Sequence, residues 1–458
     1  MAARPVTRDL IVCGGGISGL ALAFLALRRG VRDVVVLEAA DRPGGKIQSE
    51  WSEGLCCEWG PHGFLDNVPE MLALVDQLGL SGELVRADDA ASDRFIVRGG
   101  RLRRVPTSPK RFFTSDVLSL RGRLRVLLEP FQPRGAGDES VFDFARRRIG
   151  REAAEVLVDA MVTGIFAGDS RRLSLPAAFP KMGAMEHAYG SLTRAMLAKR
   201  KHGSNGGPMG PGGRLTTLRR GMQQLTDTLA TSLGPRLQLR SAVSAVVRRN
   251  GGFAVRLADG VEIAGREVAV ALPPPPAARV VSGVLPAGAV DAMAAIPTAG
   301  VAVVMTGYRA PQPFRSPTRG FGFLVPARER GAILGTIFCD STFPPQAPPG
   351  TTLLRTLLGG ARDGGVLALA DDEMLAVVRR ALDRYLGGDP EPDFVRIIRH
   401  EQGIPQYTLG HLARLAEIEA AAAAVPGLHI LGNGLHGIAA NTCVVEAARV
   451  AGRIGAAR

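Results

Sequence analysis

Apolar positions in the first forty residues fall into two short runs with a helical pattern between them. Asp9-Leu10-Ile11-Val12-Cys13 is apolar at every position after the first, as in a strand covered on both faces. Over residues 20–29, apolar residues recur at helical spacing among good helix formers, and Gly30 ends the pattern. Asp33-Val34-Val35-Val36-Leu37-Glu38 is the second continuous run. Strand, helix and strand within about 30 residues is the unit of a parallel sheet.

The pattern then changes. Residues 87–197 are rich in arginine and in helical spacing, with few strand signals. A glycine- and proline-rich run at 203–213 can hold neither helix nor strand and reads as a loop or boundary. Strands return at 237–247, 252–257 and 261–270, with turns at Asn250-Gly251 and Asp259-Gly260. Pro273-Pro274-Pro275-Pro276 closes that block. Residues 277–399 mix strands at 301–305, 321–325, 333–338 and 352–358 with a helix at 372–386. The chain ends on a strand at 428–431, a glycine turn and a helix at 441–455.

A chain of 458 residues suggests two or three domains, and 46% hydrophobic with 22% charged residues is a globular composition. The net charge is +13, carried almost wholly by arginine, since only five lysines occur. That excess favours an acidic partner such as an anionic membrane surface or an acidic substrate. Nucleic acid fits poorly, because the arginine clusters at 98–104, 121–125 and 146–151 lack interleaved aromatics for base stacking. Cys13, Cys56, Cys57, Cys339 and Cys443 are odd in number and form no CxxC, which argues against a disulfide framework and a metal site. No run of 18 apolar residues and no secretory leader stand out, so the expectation is a protein on the cytoplasmic side, peripheral to a membrane if attached at all.

Candidate chemistry begins at Gly14-Gly15-Gly16-Ile17-Ser18-Gly19. It follows a strand, opens a helix and precedes Glu38 at the end of the next strand, the context a G-x-G-x-x-G dinucleotide fingerprint requires. Gly14 allows the tight turn, Gly16 admits a pyrophosphate and Gly19 permits close helix–strand packing. The helix N-terminus offers free N–H groups to the phosphates. Glu38 accepts from ribose hydroxyls, and an acid there disfavours a 2′-phosphate.

NAD and FAD share that fingerprint. Here Glu38-Ala39 is followed by a second glycine turn, Arg42-Pro43-Gly44-Gly45-Lys46, and then by Glu58-Trp59-Gly60-Pro61-His62-Gly63. Together with Gly432-Asn433-Gly434-Leu435-His436-Gly437-Ile438 before the last helix, this resembles the flavin-dependent amine oxidase superfamily. The resemblance implies FAD, an α/β Rossmann-like FAD-binding domain discontinuous in sequence, and cofactor contacts at Gly14–Gly19, Glu38, Ala39, Lys46, Gly60, Pro61, His62, Gly63, Val243, His400, Ile438, Ala439 and Ala440.

Four internal segments narrow the resemblance. They are Asp93-Arg94-Phe95-Ile96-Val97-Arg98-Gly99-Gly100-Arg101-Leu102, the Thr163-Gly164-Ile165-Phe166-Ala167-Gly168-Asp169 stretch, Gly320-Phe321-Gly322-Phe323-Leu324-Val325-Pro326, and Gly403-Ile404-Pro405-Gln406-Tyr407-Thr408-Leu409-Gly410-His411. In this order they resemble the protoporphyrinogen oxidase family, including its coproporphyrinogen-oxidising bacterial relatives. That implies a FAD domain from 1–87, 214–276 and 400–458, a helical membrane-contacting domain at 88–213 and a mixed α+β substrate domain at 277–399. It also implies a six-electron oxidation of a porphyrinogen, with dioxygen as acceptor and hydrogen peroxide as product. Arg94 matches the family's propionate-binding arginine, Phe321 and Leu324 its pyrrole sandwich, and Gly164 a glycine near the reacting edge. The flavin carries the chemistry, so no dedicated catalytic residue is expected. Relatives often carry tryptophan at the places of Lys46 and His400, and are often homodimers. An amine oxidase is the rival reading. It is disfavoured because no lysine follows Lys201 and aromatics are only 5%.

Overall fold

The computed structural model describes residues 7–135, 137–201 and 212–456; most of the glycine- and proline-rich run lies outside them. The opening unit forms as expected: strand Arg8–Cys13, helix Ile17–Arg28 and strand Val34–Leu37. The strands pair in parallel, Leu10 beside Val34 and Cys13 beside Leu37. Strand Glu262–Val270 flanks Arg8–Cys13 in parallel on the other side, and its C-terminal end takes Leu428–Ile430 as a parallel neighbour. Its N-terminal end pairs antiparallel with Gly252–Leu257, which pairs in turn with Val243–Arg249. The single strand expected at 237–247 is two strands. Leu237–Gln238 pairs with Val34–Leu37 at one edge of the sheet, Arg240 turns with φ +54°, and Val243–Arg249 lies at the opposite edge.

Both faces of this sheet are covered, which is why its strands read as continuous apolar runs. Leu10, Val12, Val34 and Val36 pack with Leu20 and Phe24 of the first helix and Val444 and Ala447 of the last. Ile11, Cys13, Val35 and Leu37 pack on the opposite side with Ala277, Val281, Met293 and Ile418. The proline run does not close the block. Helix Pro274–Val281 starts on it, since proline is tolerated in a first turn where its missing N–H has no partner to lose. With helix Ala287–Ala294 it covers the first sheet, so this packed unit extends to about residue 296 rather than 276.

The second sheet has the order Phe394–Pro405, Thr298–Tyr308, Thr352–Gly359, Gly335–Phe338, Gly322–Leu324, Arg94–Arg98, Arg101–Arg104. Helix Asp371–Leu386 covers one face through Met374, Val378 and Leu382. Two of these pairings shift the expected boundaries. Residues 94–104 form a hairpin of this sheet rather than part of the helical region. Residues 400–405 belong to its longest strand rather than to the first unit.

Between 107 and 201 the chain is helical, as its spacing suggested. The arginine cluster at 146–151 is largely used up inside it. Arg148 is fully buried against Glu129, and Arg147 pairs with Glu139 and Glu186. Burial alone would raise the Glu129 pKa. Hydrogen bonds from Ser191 and Thr193 and from the Leu192 and Thr193 amides outweigh it and hold the carboxyl at about 2.

Candidate active site

The glycine loop has the geometry its spacing demands. Gly14 sits at φ +111°, and a Cβ there would lie 2.7 Å from the Ala271 carbonyl oxygen. A Cβ at Gly19 would strike the Gly14 carbonyl, so only glycine lets the helix start this close to the strand. Gly16 is different: an added Cβ meets nothing within 4 Å. No side chain caps the helix that begins at Ile17. Among the described residues its first amides therefore have no side-chain cap, the condition under which a helix N-terminus can take an anion. The buried Ser18 and the Ile17 side chain form the inner wall of this turn. Glu38 is half-buried at the rim. Its carboxylate accepts from the Gly15 amide at 2.6 Å and the Ala40 amide at 2.8 Å, which leaves lone pairs on both oxygens. Ala39 beside it is exposed.

The second glycine turn lies alongside the first. The Gly44 amide donates to the Gly15 carbonyl at 2.8 Å, and Gly44 bridges Gly16. Two of the expected cofactor contacts, Lys46 and His400, also bond protein carbonyls. The Lys46 ammonium donates to the Gly403 carbonyl at 2.6 Å, and the His400 Nε2 meets the Trp59 carbonyl at 2.8 Å. Both side chains hold protein carbonyls, and both fasten this segment to the strand Phe394–Pro405. Burial lowers the Lys46 pKa to about 8, and burial first, then nearby cations, lowers that of His400.

A third fastener was not foreseen. Arg355 stands in the strand Thr352–Gly359 and is buried, with Nε on the Glu58 carbonyl at 3.2 Å and Nη2 on the Gly60 carbonyl at 2.7 Å. A lone charged residue among the leucines and threonines of 352–358 was the signal available for it. Glu58 itself accepts from the Met222 amide at 2.7 Å and the Ser49 hydroxyl at 2.8 Å. Its burial nevertheless raises its pKa to about 7. Gly60 must be glycine, because a Cβ would strike the Lys46 carbonyl. Pro61 and Gly63 carry the chain past it, a Cβ at Gly63 meeting the Thr216 carbonyl at 2.7 Å. His62 is buried, 5.1 Å from the Phe343 ring, and neither ring nitrogen has a hydrogen-bond partner among the described residues. Burial, then Arg355, lowers its pKa to about 3, so it is neutral near pH 7.

The C-terminal glycine turn leads into the last helix. Helix Ala440–Ala456 begins right after Ile438 and the exposed Ala439, and packs on the helix of the glycine loop. Val243 opens the edge strand Val243–Arg249 and packs, partly buried, against the core of the first sheet.

The four residues expected to meet substrate come together in two touching pairs. Strand Gly322–Leu324 runs parallel to Arg94–Arg98, with Gly322 opposite Arg94. The Arg94 guanidinium lies over the Phe321 ring, 5.3 Å from its centroid. It has no carboxylate partner among the described residues; the neighbouring Asp93 pairs with Arg104 instead. Partial desolvation lowers the Arg94 pKa, but a guanidinium stays charged. Leu324 lies against Gly164, where a Cβ would sit 3.0 Å from both Leu324 methyls. Gly164 is exposed on helix Asp159–Phe166, directly after a π-helical turn at Ala154–Val158. Arg94 and Leu324 thus stand on adjacent paired strands, each against one other expected substrate residue.

Comparison with known proteins agrees with this geometry. The family model described as flavin containing amine oxidoreductase matches residues 17–455. The chain is 33% identical to the chloroplastic protoporphyrinogen oxidase of Oryza sativa subsp. japonica, over 98% of this chain and 88% of that one. It is 29% identical to the coproporphyrinogen III oxidase of Bacillus subtilis, over 95% and 96% of the two chains. A crystal structure from Exiguobacterium sp. 255-15, provisionally named a protoporphyrinogen oxidase, superposes with a TM-score of 0.85 at 25% identity, covering 99% of this chain and 100% of that one. These matches make the chain an FAD-dependent oxidoreductase that belongs to the flavin containing amine oxidoreductase family.

Proposed function

We propose that this enzyme oxidises protoporphyrinogen IX to protoporphyrin IX by removing six hydrogens, with dioxygen as the final acceptor and hydrogen peroxide as the product. The observation that carries the reading is the pair of contacts Arg94–Phe321 and Leu324–Gly164, which would wall an apolar slot with a cation at its rim. A porphyrinogen is a large apolar disc with carboxylate arms, and it wants apolar walls and a cation at one rim. The groove at Gly14–Gly19, Glu38 and Ala39, with Gly60–Gly63 and Ile438–Ala440, would hold FAD, which when bound supplies the two-electron acceptor for each oxidation. This chain's own residues do the rest. Arg94 orients the disc by a carboxylate, Phe321 and Leu324 hold its plane, and Gly164 leaves room for its edge. Lys46, His400 and Arg355 keep slot and groove in register. Coproporphyrinogen III, with two more carboxylates, is the second reading, supported by the Bacillus relative. Aerobic turnover of each freshly reduced porphyrinogen, followed by porphyrin fluorescence and peroxide, tests the function. No turnover of either with FAD bound would overturn it.

The helical region would rest on an anionic membrane surface. Leu120, Leu124, Leu127 and Leu128 share one stripe of helix Leu120–Leu127 and its cap, each between 46% and 64% exposed. Phe113 and Phe131 extend the stripe, and Lys110, Arg111 and Arg121 are exposed around it. An apolar face edged by cations suits a headgroup boundary. No helix among the described residues is long and apolar enough to cross a membrane.

A further inference from the structure

Residues 406–411 bring two stacked rings up to the C-terminal glycine turn. The Tyr407 hydroxyl donates to the Asn433 carbonyl at 2.5 Å and accepts from the Gly437 amide at 2.7 Å. A phenol has one proton to give, so these two bonds fix its orientation. The His411 ring stacks on Tyr407 with centroids 4.1 Å apart and planes at 21°. Its Nε2 meets the Leu435 carbonyl at 3.0 Å and must therefore carry the proton. Burial lowers the His411 pKa, which keeps the ring neutral. Alternate residues of the turn, 433, 435 and 437, are thus all held by two buried side chains. The same segment reaches the other way. The Tyr407 ring meets Phe166 edge-on at 5.9 Å, and the Gln406 side-chain amide donates to the Phe166 carbonyl at 2.8 Å. Phe166 ends the helix that carries Gly164.

We propose that Tyr407 and His411 are positioning residues that clamp the C-terminal turn in its FAD-holding shape and tie it to the Gly164 helix. This rests on the reading that the turn faces FAD and that Gly164 faces substrate. Neither ring needs to touch the cofactor. Each acts through backbone groups of the turn, the Leu435 carbonyl in a buried bond and the Asn433 carbonyl and Gly437 amide in partly buried ones, so losing a bond carries part of the cost of an orphaned polar group.

Urea titration of the flavin-loaded enzyme separates this role from a merely structural one. Flavin fluorescence reports release, and far-ultraviolet circular dichroism reports unfolding. In the wild type the two transitions coincide. In Tyr407→Phe and His411→Phe, which keep the stacked rings, flavin is released at lower urea while unfolding hardly moves. At zero urea, release is roughly tenfold faster, as loss of one buried bond implies. Coincident transitions and wild-type release rates in both variants would overturn the proposal. Ala439→Trp, at an exposed position of the turn, checks the underlying reading. If that variant loses flavin while both ring variants keep it, the clamp alone is wrong. If it keeps flavin, the turn does not face FAD, and the clamp falls with that reading.

Discussion

Lys46 and Gly403 are 357 residues apart in sequence, yet the lysine ammonium sits 2.6 Å from the glycine carbonyl oxygen. The bond crosses from the glycine turns of the first sheet to the longest strand of the second. Because its pKa is lowered to about 8 from an ordinary 10.5, the folded protein releases this proton before the unfolded chain does. Between those values the unfolded state binds more protons, so this group makes stability rise with pH. Thermal midpoints measured from pH 8 to 10.5 should climb more steeply in the wild type than in Lys46→Met. Parallel curves would show that Lys46 is not confined as described.

Glu58 has the opposite sign. Its carboxyl is raised from 4.5 to about 7, so the folded state binds the extra proton. The contribution is full below pH 4.5 and is lost as pH rises through 7. Glu58→Gln mimics the protonated acid and should remove this decline. Urea midpoints at pH 5 and pH 8 would differ less in the variant than in the wild type.

Arg94 is assigned to substrate and not to FAD, so its loss should spare the cofactor. Arg94→Ala removes a charge-assisted bond worth about 1.5–3 kcal/mol, or roughly ten- to a hundred-fold in affinity. The Michaelis constant for the porphyrinogen should rise by that factor with the flavin spectrum unchanged. An unaltered constant would remove Arg94 from the site.

Gly16→Val tests the groove. The backbone there, φ −75° and ψ 177°, suits any residue, and the added Cβ enters open space. The variant should fold normally and purify without flavin. A yellow, fully loaded protein would mean the fingerprint is misread.

Leu124→Glu with Leu128→Glu places two carboxylates on the exposed stripe. Sedimentation with vesicles containing anionic lipid should fall sharply, while turnover on detergent-dispersed substrate should persist. Equal sedimentation would move the contact elsewhere.

Much of this was readable before any coordinates. The strands of the first sheet are apolar on both faces, so Val34, Val35 and Val36 stand out as a run. The glycines announce themselves by spacing. The hairpin Arg94–Arg104 was harder, because five arginines among its strands and turn conceal its alternation. Strand Phe394–Pro405 was missed for a similar reason. It lies at the edge of its sheet with Arg396, Arg399 and Glu401 exposed, so its pattern is mostly polar. At the site, residue types that bind ligands were visible, but those that bind backbone were not. The bonds from Lys46 and His400 to carbonyls were not visible, because they depend on which strand the fold brings alongside.

The second sheet collects strands from residues 94–104, 298–308, 322–338, 352–359 and 394–405, and the first takes its last strand at 428–430. Neither sheet can finish until nearly the whole chain has left the ribosome. Pairings at such sequence separation form slowly, because loop entropy is paid before contacts return it. A nascent chain therefore exposes unpaired strand edges for most of its synthesis. Expression of either half alone should give aggregates, and co-translational chaperones should matter more for yield than the stability of the finished enzyme.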